Sequence, residues 1–447
     1  MRFLSFTLGL LGSAITASAT MIPNTSVFRD DGFTAVNPGS FKDLVVTDRN
    51  TLNGTRTGDA LVVPLAREKI AAATLPLQFV NNFGSAVNAY ISGLDSKGAV
   101  VFVAADGSLI YPSSGGSGVP VKITQNIKIP VAAGKTLSMT LPISLTSGRI
   151  YYSVGELYFG IVSTGNGDGL VQPAPNNPSD PSAAINWGFV ELTLTSAGVL
   201  YANISYVDFL GLPLGMKLTV NGGSTQTAYG VAAGAVTSVC NDLATQKAKD
   251  GRPWTALCQA NSKGPVRVLS PTLYTDLDSS SFQTYWDSYI SQVWSKYTST
   301  NLVIDTQNSA GKVNCRVSGS TLTCAGDNRG YSKPTARDIW GCNSGPFGKQ
   351  AGDNDVHLAV IPRLCAAFVR STLLLSGGNV QPSLGQANYY KTSPTNHYSR
   401  VVHTKEVDGK GYAFAYDDVN PTGTENASGT VSHGSPKTLT VYIGSPP

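Results

Sequence analysis

The sequence predicts a mainly β protein with a smaller mixed α/β part. Three observations carry that prediction. From residue 61 to 230 the chain is a succession of short apolar or alternating runs punctuated by Gly, Pro, Asn and Ser, the pattern of strands closed by turns. Near residue 231 the spacing of apolar residues becomes helical, and after 398 strand-like runs return. Only 13% of residues are charged, about half the usual share, as in turn-rich extracellular β proteins.

The chain opens MRFLSFTLGLLGSAITASAT, with Arg2, an apolar stretch from Phe3 to Ile15, and Ala17-Ser18-Ala19. That is the form of a secretory signal peptide over residues 1–19. The stretch is too short to span a bilayer, and no later run of about 18 apolar residues follows. The tail VYIGSPP lacks the hydrophobic segment of a lipid-anchor signal. The expectation is a secreted, extracellular protein without a membrane partner. Its net charge of +4 and the lack of a Lys/Arg cluster also argue against nucleic acid.

Residues 20–60 are polar and turn-rich, and read as an N-terminal extension, either a pro-segment or a strap. Residues 61–230 hold LPLQFVN, VNAYISGL, AVVFVA, LSMTLPI, IYYSVGELYFGIV, FVELTLT, VLYANISYVDF and MKLTVNGG. Short strands so regularly spaced suggest a sandwich or barrel.

Residues 231–397 read as a mixed α/β domain. AAGAVTSVCNDLATQ is a first helix. SFQTYWDSYISQVWSKY is a second, capped from Ser279 to Ser281, with an aromatic stripe from Phe282 to Tyr297 at helical spacing. Such a stripe is buried far more often than it binds sugar. A third helix is expected from near Pro362 through RLCAAFVRSTLLL to Gly377-Gly378, with Pro in its first turn and Gly after its end. Residues 398–447 supply YSRVVHTKEV, GYAFAYDDV and TLTVYIG, read as strands returning to the first β domain.

The six cysteines, 240, 258, 315, 324, 342 and 365, form an even set that implies disulfides in a secreted chain. Cys315 and Cys324 flank a hairpin with its turn at Gly319-Ser320. They are expected to pair across it, and a further expectation joins Cys240 to Cys258 and Cys342 to Cys365. No C-x-x-C occurs and the histidines are scattered, so no metal site is expected. Sequons occur at Asn24, Asn53, Asn203 and Asn426. A glycan on Asn203 would crowd any cleft there, so that position is expected to be unmodified.

The stretch WGFVELTLTSAGVLYANISYVDFLG, residues 187–211, carries the chemistry. Val190, Leu192 and Leu194 alternate with Glu191, Thr193 and Thr195, a half-buried strand with one polar face. The chain turns at Ser196-Ala197-Gly198 and runs back to Val207. The chain has only five glutamates, 68, 156, 191, 406 and 425, so Glu191 is no part of a general charge coat. Cleaving a glycosidic bond takes one carboxyl to protonate the leaving oxygen and a second to activate water or attack the sugar. Glu191 and Asp208 are candidates, with Thr193, Thr195, Tyr201, Asn203 and Ser205 as sugar-hydroxyl partners around them.

In an ideal hairpin Glu191 faces residue 203 or 204. Asp208 then lies roughly 13–16 Å further on at about 3.3 Å per residue, against roughly 6.5–9.5 Å for an inverting pair. A bulge or curl before Asp208 is required. The residues alone leave a second reading level with the first, in which both acids are surface charges or turn caps.

The stretch from DGLVQPAPNNPSDPSAAINWGFVELT to LYANISYVDFLGLPL resembles glycoside hydrolase family 64, the β-1,3-glucanases of thaumatin-like fold. So does NHYSRVVHTKEVDGKGYAFAYDDV, residues 396–419, and the likeness extends from about 61 to 446, through YYSVGELYFG and IPRLCAAFVRSTLL. The resemblance implies a thaumatin-like β-sandwich or barrel domain, a smaller disulfide-containing α/β domain, and a wide cleft between them for a polysaccharide. It implies an inverting glucan endo-1,3-β-glucosidase acting on laminarin-like or cell-wall β-1,3-glucan, with Glu191 as general acid and Asp208 as general base. Thr193, Ser205, Thr195 and Tyr201 are carried over as sugar contacts. No cofactor is implied, and a monomer is expected. The mechanism asks that Glu191 be protonated at working pH, through burial or a nearby negative charge, and that Asp208 stay ionised.

Other features rank below these. Asp417 and Asp418 could bind calcium or line the cleft, but adjacent acids are usually caps. His397 and His403 could carry protons but read as structural. Asp168 in GNGDGL reads as a turn residue. A different class of protein, a non-catalytic thaumatin-like β-glucan-binding or defence protein, would keep the cleft and lose the acid/base pair.

Overall fold

A computed structural model describes residues 31–65, 73–422 and 427–447. Residues 1–19, read above as a signal peptide, and the sequons at Asn24 and Asn426 lie outside the described residues. No described helix is long and apolar enough to cross a membrane.

Two sheets pack face to face. The larger runs in the order Val431–His433, Leu200–Ile204, Asn186–Leu194, Leu145–Val154, Val87–Leu94, Val100–Val103, Leu109–Tyr111, Leu61–Val63. The smaller runs Thr136–Leu141, Leu75–Asn81, Pro436–Ile443, Leu214–Val220, Gln226–Ala228. Their facing sides meet at Phe79 and Tyr152, whose rings are edge-on at 5.3 Å. The alternation seen in LPLQFVN is literal: Leu75, Leu77 and Phe79 are buried, while Pro76 and Gln78 are exposed. The TLTVYIG strand lies parallel to residues 77–81, so the end of the chain is built into the smaller sheet.

The other face of the large sheet is graded. On strand Asn186–Leu194, Trp187 and Phe189 lie buried against Phe209, whereas Glu191 and Thr193 on the same face are half-buried. An aromatic floor thus gives way to an open polar end within one strand.

Helices lie beyond that face. Ala235–Asp250 follows the expected first helix closely. The second is shorter than predicted. Residues 279–286 form turns, with Ser280 and Ser281 bonded to Asp278, and the α-helix spans only Asp287–Ser299. Its aromatic stripe is core: Trp254, Phe282, Tyr285, Trp286 and Trp340 form one buried cluster. The third helix is displaced. It spans Asp355–Val369, with Pro362 inside it, because Asn354 caps His357 N and opens the helix two turns earlier. The largest correction is at YSRVVHTKEV: residues His397–His403 are a helix capped by Asn396, not a strand. GYAFAYDDV is turns with one bridge at Tyr412. Its apolar residues pack inward without the alternation of a strand.

The three disulfides are Cys240–Cys258, Cys315–Cys324 and Cys342–Cys365, the expected pairing. Cys315 and Cys324 are register partners across one hairpin. The extension before residue 61 is also structured. Thr34–Ala35 pairs with residues 259–260, and Thr51–Asn53 with residues 169–171.

Candidate active site

Glu191 faces Asn203 in the register of its hairpin, and Thr193 faces Tyr201. The turn is closed by Gly198 N donating to Thr195 O at 2.9 Å. The return strand ends at Ile204. Beyond it the chain bends at 207–208, and Phe209–Leu210 joins a different sheet by pairing with residues 268–269. Asp208 therefore lies at the seam between two sheets, its carbonyl accepting Ser270 N at 2.8 Å. Ser270 caps the helix Pro271–Leu277, so that helix stands beside Asp208.

Arg149 is bonded to Glu191 and lies within electrostatic reach of Asp208. It is the register partner of Glu191 on the neighbouring strand. Its Nη2 donates to Glu191 Oε1 at 3.1 Å and its Nη1 to Gln172 Oε1 at 2.6 Å. The guanidinium lies 4.5 Å over the Phe189 ring. A bulge at 146–148, with Ser147 at φ 48°, shifts the register just before it, as bulges near working sites often do. Gly148 is needed there, since a Cβ would stand 2.9 Å from Leu192 O. Burial works against the Arg149 charge, but Tyr151, Glu191 and Asp208 outweigh it and hold the guanidinium charged.

Asn203 donates to the other Glu191 oxygen, Oε2, at 3.2 Å. Asp208 is half-buried. Burial lifts its carboxyl above the ordinary range. Arg149 and Arg49 pull it back, and Glu191 and Asp276 add to the rise.

Glu191, Arg149, Thr193, Tyr201 and Asn203 line a cleft of about 370 Å³, and Asp208 is not among its lining residues. Tyr201, 45% exposed, presents its ring there. Two predicted sugar contacts do not line this cleft. The Thr195 hydroxyl accepts Val199 N at the hairpin end, and Ser205 is buried where residue 412 bridges to it. Arg149, Arg49 and Gln172 are additions. A lone charge in an otherwise uncharged strand, LTSGRIYYSV, was the available signal for the first.

The lower-ranked residues resolve into structural roles. Asp417 is buried, bound to Arg370 at 3.0 Å and to His403 at 3.0 Å. Asp168 is a buried strand residue accepting Ser114 N, not a turn residue. His397 accepts Arg400 Nε, and burial lowers it to about 4. Among the described residues no group of three His, Cys, Asp or Glu could hold a metal.

Residues 73–443 match the family model of glycoside hydrolase family 64, described as β-1,3-glucanase. The chain belongs to that family. It is 30% identical over 369 residues to a glucan endo-1,3-β-glucosidase of Cellulosimicrobium cellulans, covering 80% of this chain and 64% of that protein. The figures are the same for a protein of that name from Arthrobacter sp. (strain YCWD3). The chain thus spans just under two thirds of the length of these relatives. A solved laminaripentaose-producing β-1,3-glucanase in complex with laminaritetraose is 30% identical with a TM-score of 0.71, covering 83% of this chain and 98% of that one. A family 64 β-1,3-glucanase domain from Clostridium beijerinckii, 22% identical with a TM-score of 0.65 over 83% of this chain and 98% of that one, shares the fold.

Proposed function

We propose that this protein is a secreted, monomeric glycoside hydrolase of thaumatin-like fold that cleaves β-1,3-glucan with inversion. The observation that carries the reading is Glu191 on an open polar cleft, held by Arg149 and Asn203, with the Asp208 charge acting on the same arginine. The relatives' names, glucan endo-1,3-β-glucosidase, support the substrate.

In this mechanism Glu191 gives its proton to the glycosidic oxygen as the C1–O bond breaks. A water on the opposite ring face bonds to C1 and passes a proton to Asp208. The products are an α-anomer and a free 3-hydroxyl. Proton exchange with solvent restores both carboxyls. Arg149 occupies Glu191 in the free protein, so a protonated Glu191 must turn from Arg149 toward the glycosidic oxygen. Thr193, Asn203 and the Tyr201 ring supply sugar contacts.

One observation favours exchanging the two roles: Asp208 is the carboxyl that burial lifts, which suits a proton donor. The two assignments differ in rescue. A variant lacking the base is rescued by azide, which forms an α-glycosyl azide. A variant lacking the acid is rescued by a substrate whose leaving group needs no proton.

The deciding experiment is a laminarin digest with the wild type and Glu191→Gln, products separated by chromatography and their anomeric form read by NMR. α-Anomer oligosaccharides from the wild type alone are expected. A folded wild type that binds laminarin and releases nothing refutes the enzyme and leaves a glucan-binding protein.

A further inference from the structure

The family match begins at residue 73, yet one wall of the cleft comes from before it. Arg49, Thr51 and Leu52 line the same space as Glu191. This segment is fixed to the sheet beneath it. Gln172 N donates to Asn50 O at 2.8 Å, and the buried Asn50 amide donates back to Gln172 O at 3.1 Å. Leu44 packs with Val162 and Val171 in a small core of its own. The Gln172 side chain is the one that holds Arg149, so the strap braces the residue behind the Arg149 guanidinium.

Arg49 also reaches the helical layer. Its Nε lies 2.9 Å from Asp276 Oδ2. Asp276 sits on the helix Pro271–Leu277, the helix whose cap Ser270 is bonded to the Asp208 carbonyl. Arg337 holds the other Asp276 oxygen at 3.0 Å. A guanidinium from the extension thus ties the strap to the helix whose cap is bonded to Asp208.

We propose that residues 44–53 are a working part of the active site, forming one wall of the glucan cleft with Arg49 as a positioning residue for Asp208. The proposal rests on the reading of Asp208 as a catalytic carboxyl. The charged and titratable groups that act with Asp208 come from five elements. They are Arg149, Glu191, Arg49 and Asp276, with Tyr398 from the helix His397–His403. Arg149 and Arg49 lower Asp208, while Glu191 and Asp276 raise it. Arg337 stays on Asp276 when Arg49 is removed, but Asp208 loses one of its two lowering cations and holds its proton to higher pH. Asp276 then loses its tie to the strap.

The test compares the full chain with Arg49→Met and Arg49→Lys. The titration of Asp208 is followed by NMR of ¹³C-carboxyl-labelled aspartate, assigned with Asp208→Asn. Affinity for laminari-oligosaccharides is measured by calorimetry in the Glu191→Gln background, and a thermal melt reports any structural loss. Arg49→Met is expected to raise the Asp208 midpoint by about half a unit or more, to move the acid limb of kcat/KM with it, and to weaken oligosaccharide binding several-fold. Arg49→Lys is expected to restore the midpoint by restoring the charge. An Asp208 midpoint and an affinity unchanged in Arg49→Met, with only the melt altered, overturn the proposal and leave the strap structural. So does a lysine variant no better than methionine. The NMR titration needs no substrate, so a wild type inert on laminarin refutes the enzyme reading while the role of Arg49 is still decided.

Discussion

His403 is predicted to anchor the protein against alkali. Its Nδ1 lies 2.9 Å from Glu406 Oε2 and its Nε2 lies 3.0 Å from Asp417 Oδ2. Both ring nitrogens face carboxylates, an arrangement that only the imidazolium satisfies, since it alone donates from both. Burial opposes that charge, but Glu406 and Asp417 prevail and push the ring up to about 10 from 6.5. A folded value above the unfolded one stabilises the fold below the unfolded value and loses that effect as pH rises through the folded one. About 3.5 units at ~1.4 kcal/mol each give on the order of 5 kcal/mol, complete below about pH 6.5, falling by ~1.4 kcal/mol per unit, and gone near pH 10. His403→Gln leaves two buried carboxylates with Arg370 as the remaining cation on Asp417. Its expected cost at about pH 6 is roughly 3–5 kcal/mol. Equilibrium urea unfolding with disulfides intact, repeated from about pH 6 to 10, reads both quantities. The wild type should lose stability across this window, and the gap to the variant should narrow toward pH 10. A variant within about 1 kcal/mol of wild type at pH 6, or one that keeps the wild-type slope, refutes the reasoning.

Arg149→Met removes the donor to both Glu191 and Gln172, and kcat on laminarin should fall by on the order of 10²–10³ with the melting temperature changed far less. Tyr201→Ala deletes an exposed ring of the cleft. KM for oligosaccharides should rise about five- to tenfold, the equivalent of ~1 kcal/mol of ring contact, with kcat nearly unchanged in steady-state assays. Replacing Cys342 and Cys365 by serine opens a loop of 23 residues and should cost ~3 kcal/mol in chemical unfolding if loop entropy governs.

The candidate site was partly legible because its central hairpin is local. Glu191 and Asn203 are paired through a short turn, so alternation and turn chemistry narrowed the partner of Glu191 to residue 203 or 204. The same locality let Cys315 and Cys324 be paired from sequence. Arg149 was not legible, because its strand meets that of Glu191 only after the hairpin of residues 160–171 has left for another sheet. Thr195 has the parity of Glu191 but reaches the turn, where its hydroxyl closes the loop. Ser205 has the parity of Tyr201 but is buried by residue 412, more than two hundred positions away. The helix His397–His403 was misread because a seven-residue helix buried on most sides carries apolar residues without a clear period.

By itself the sequence determined what depends on near neighbours: the many short strands, the alternation that gives one strand an aromatic floor and a polar end, and the presence of Glu191 on that end. Only the tertiary structure decided where Asp208 goes. Its position follows from a chain that abandons one sheet to pair with residues 268–269 of another, and pairing partners so far apart leave no periodic trace. The same holds for the strap. Arg49 is an ordinary arginine in a polar run until Asn50 locks against Gln172 and Asp276 arrives from a helix beyond the cleft. Side-chain periodicity records which way a residue faces, whereas the identity of what it faces is set by packing of the whole chain.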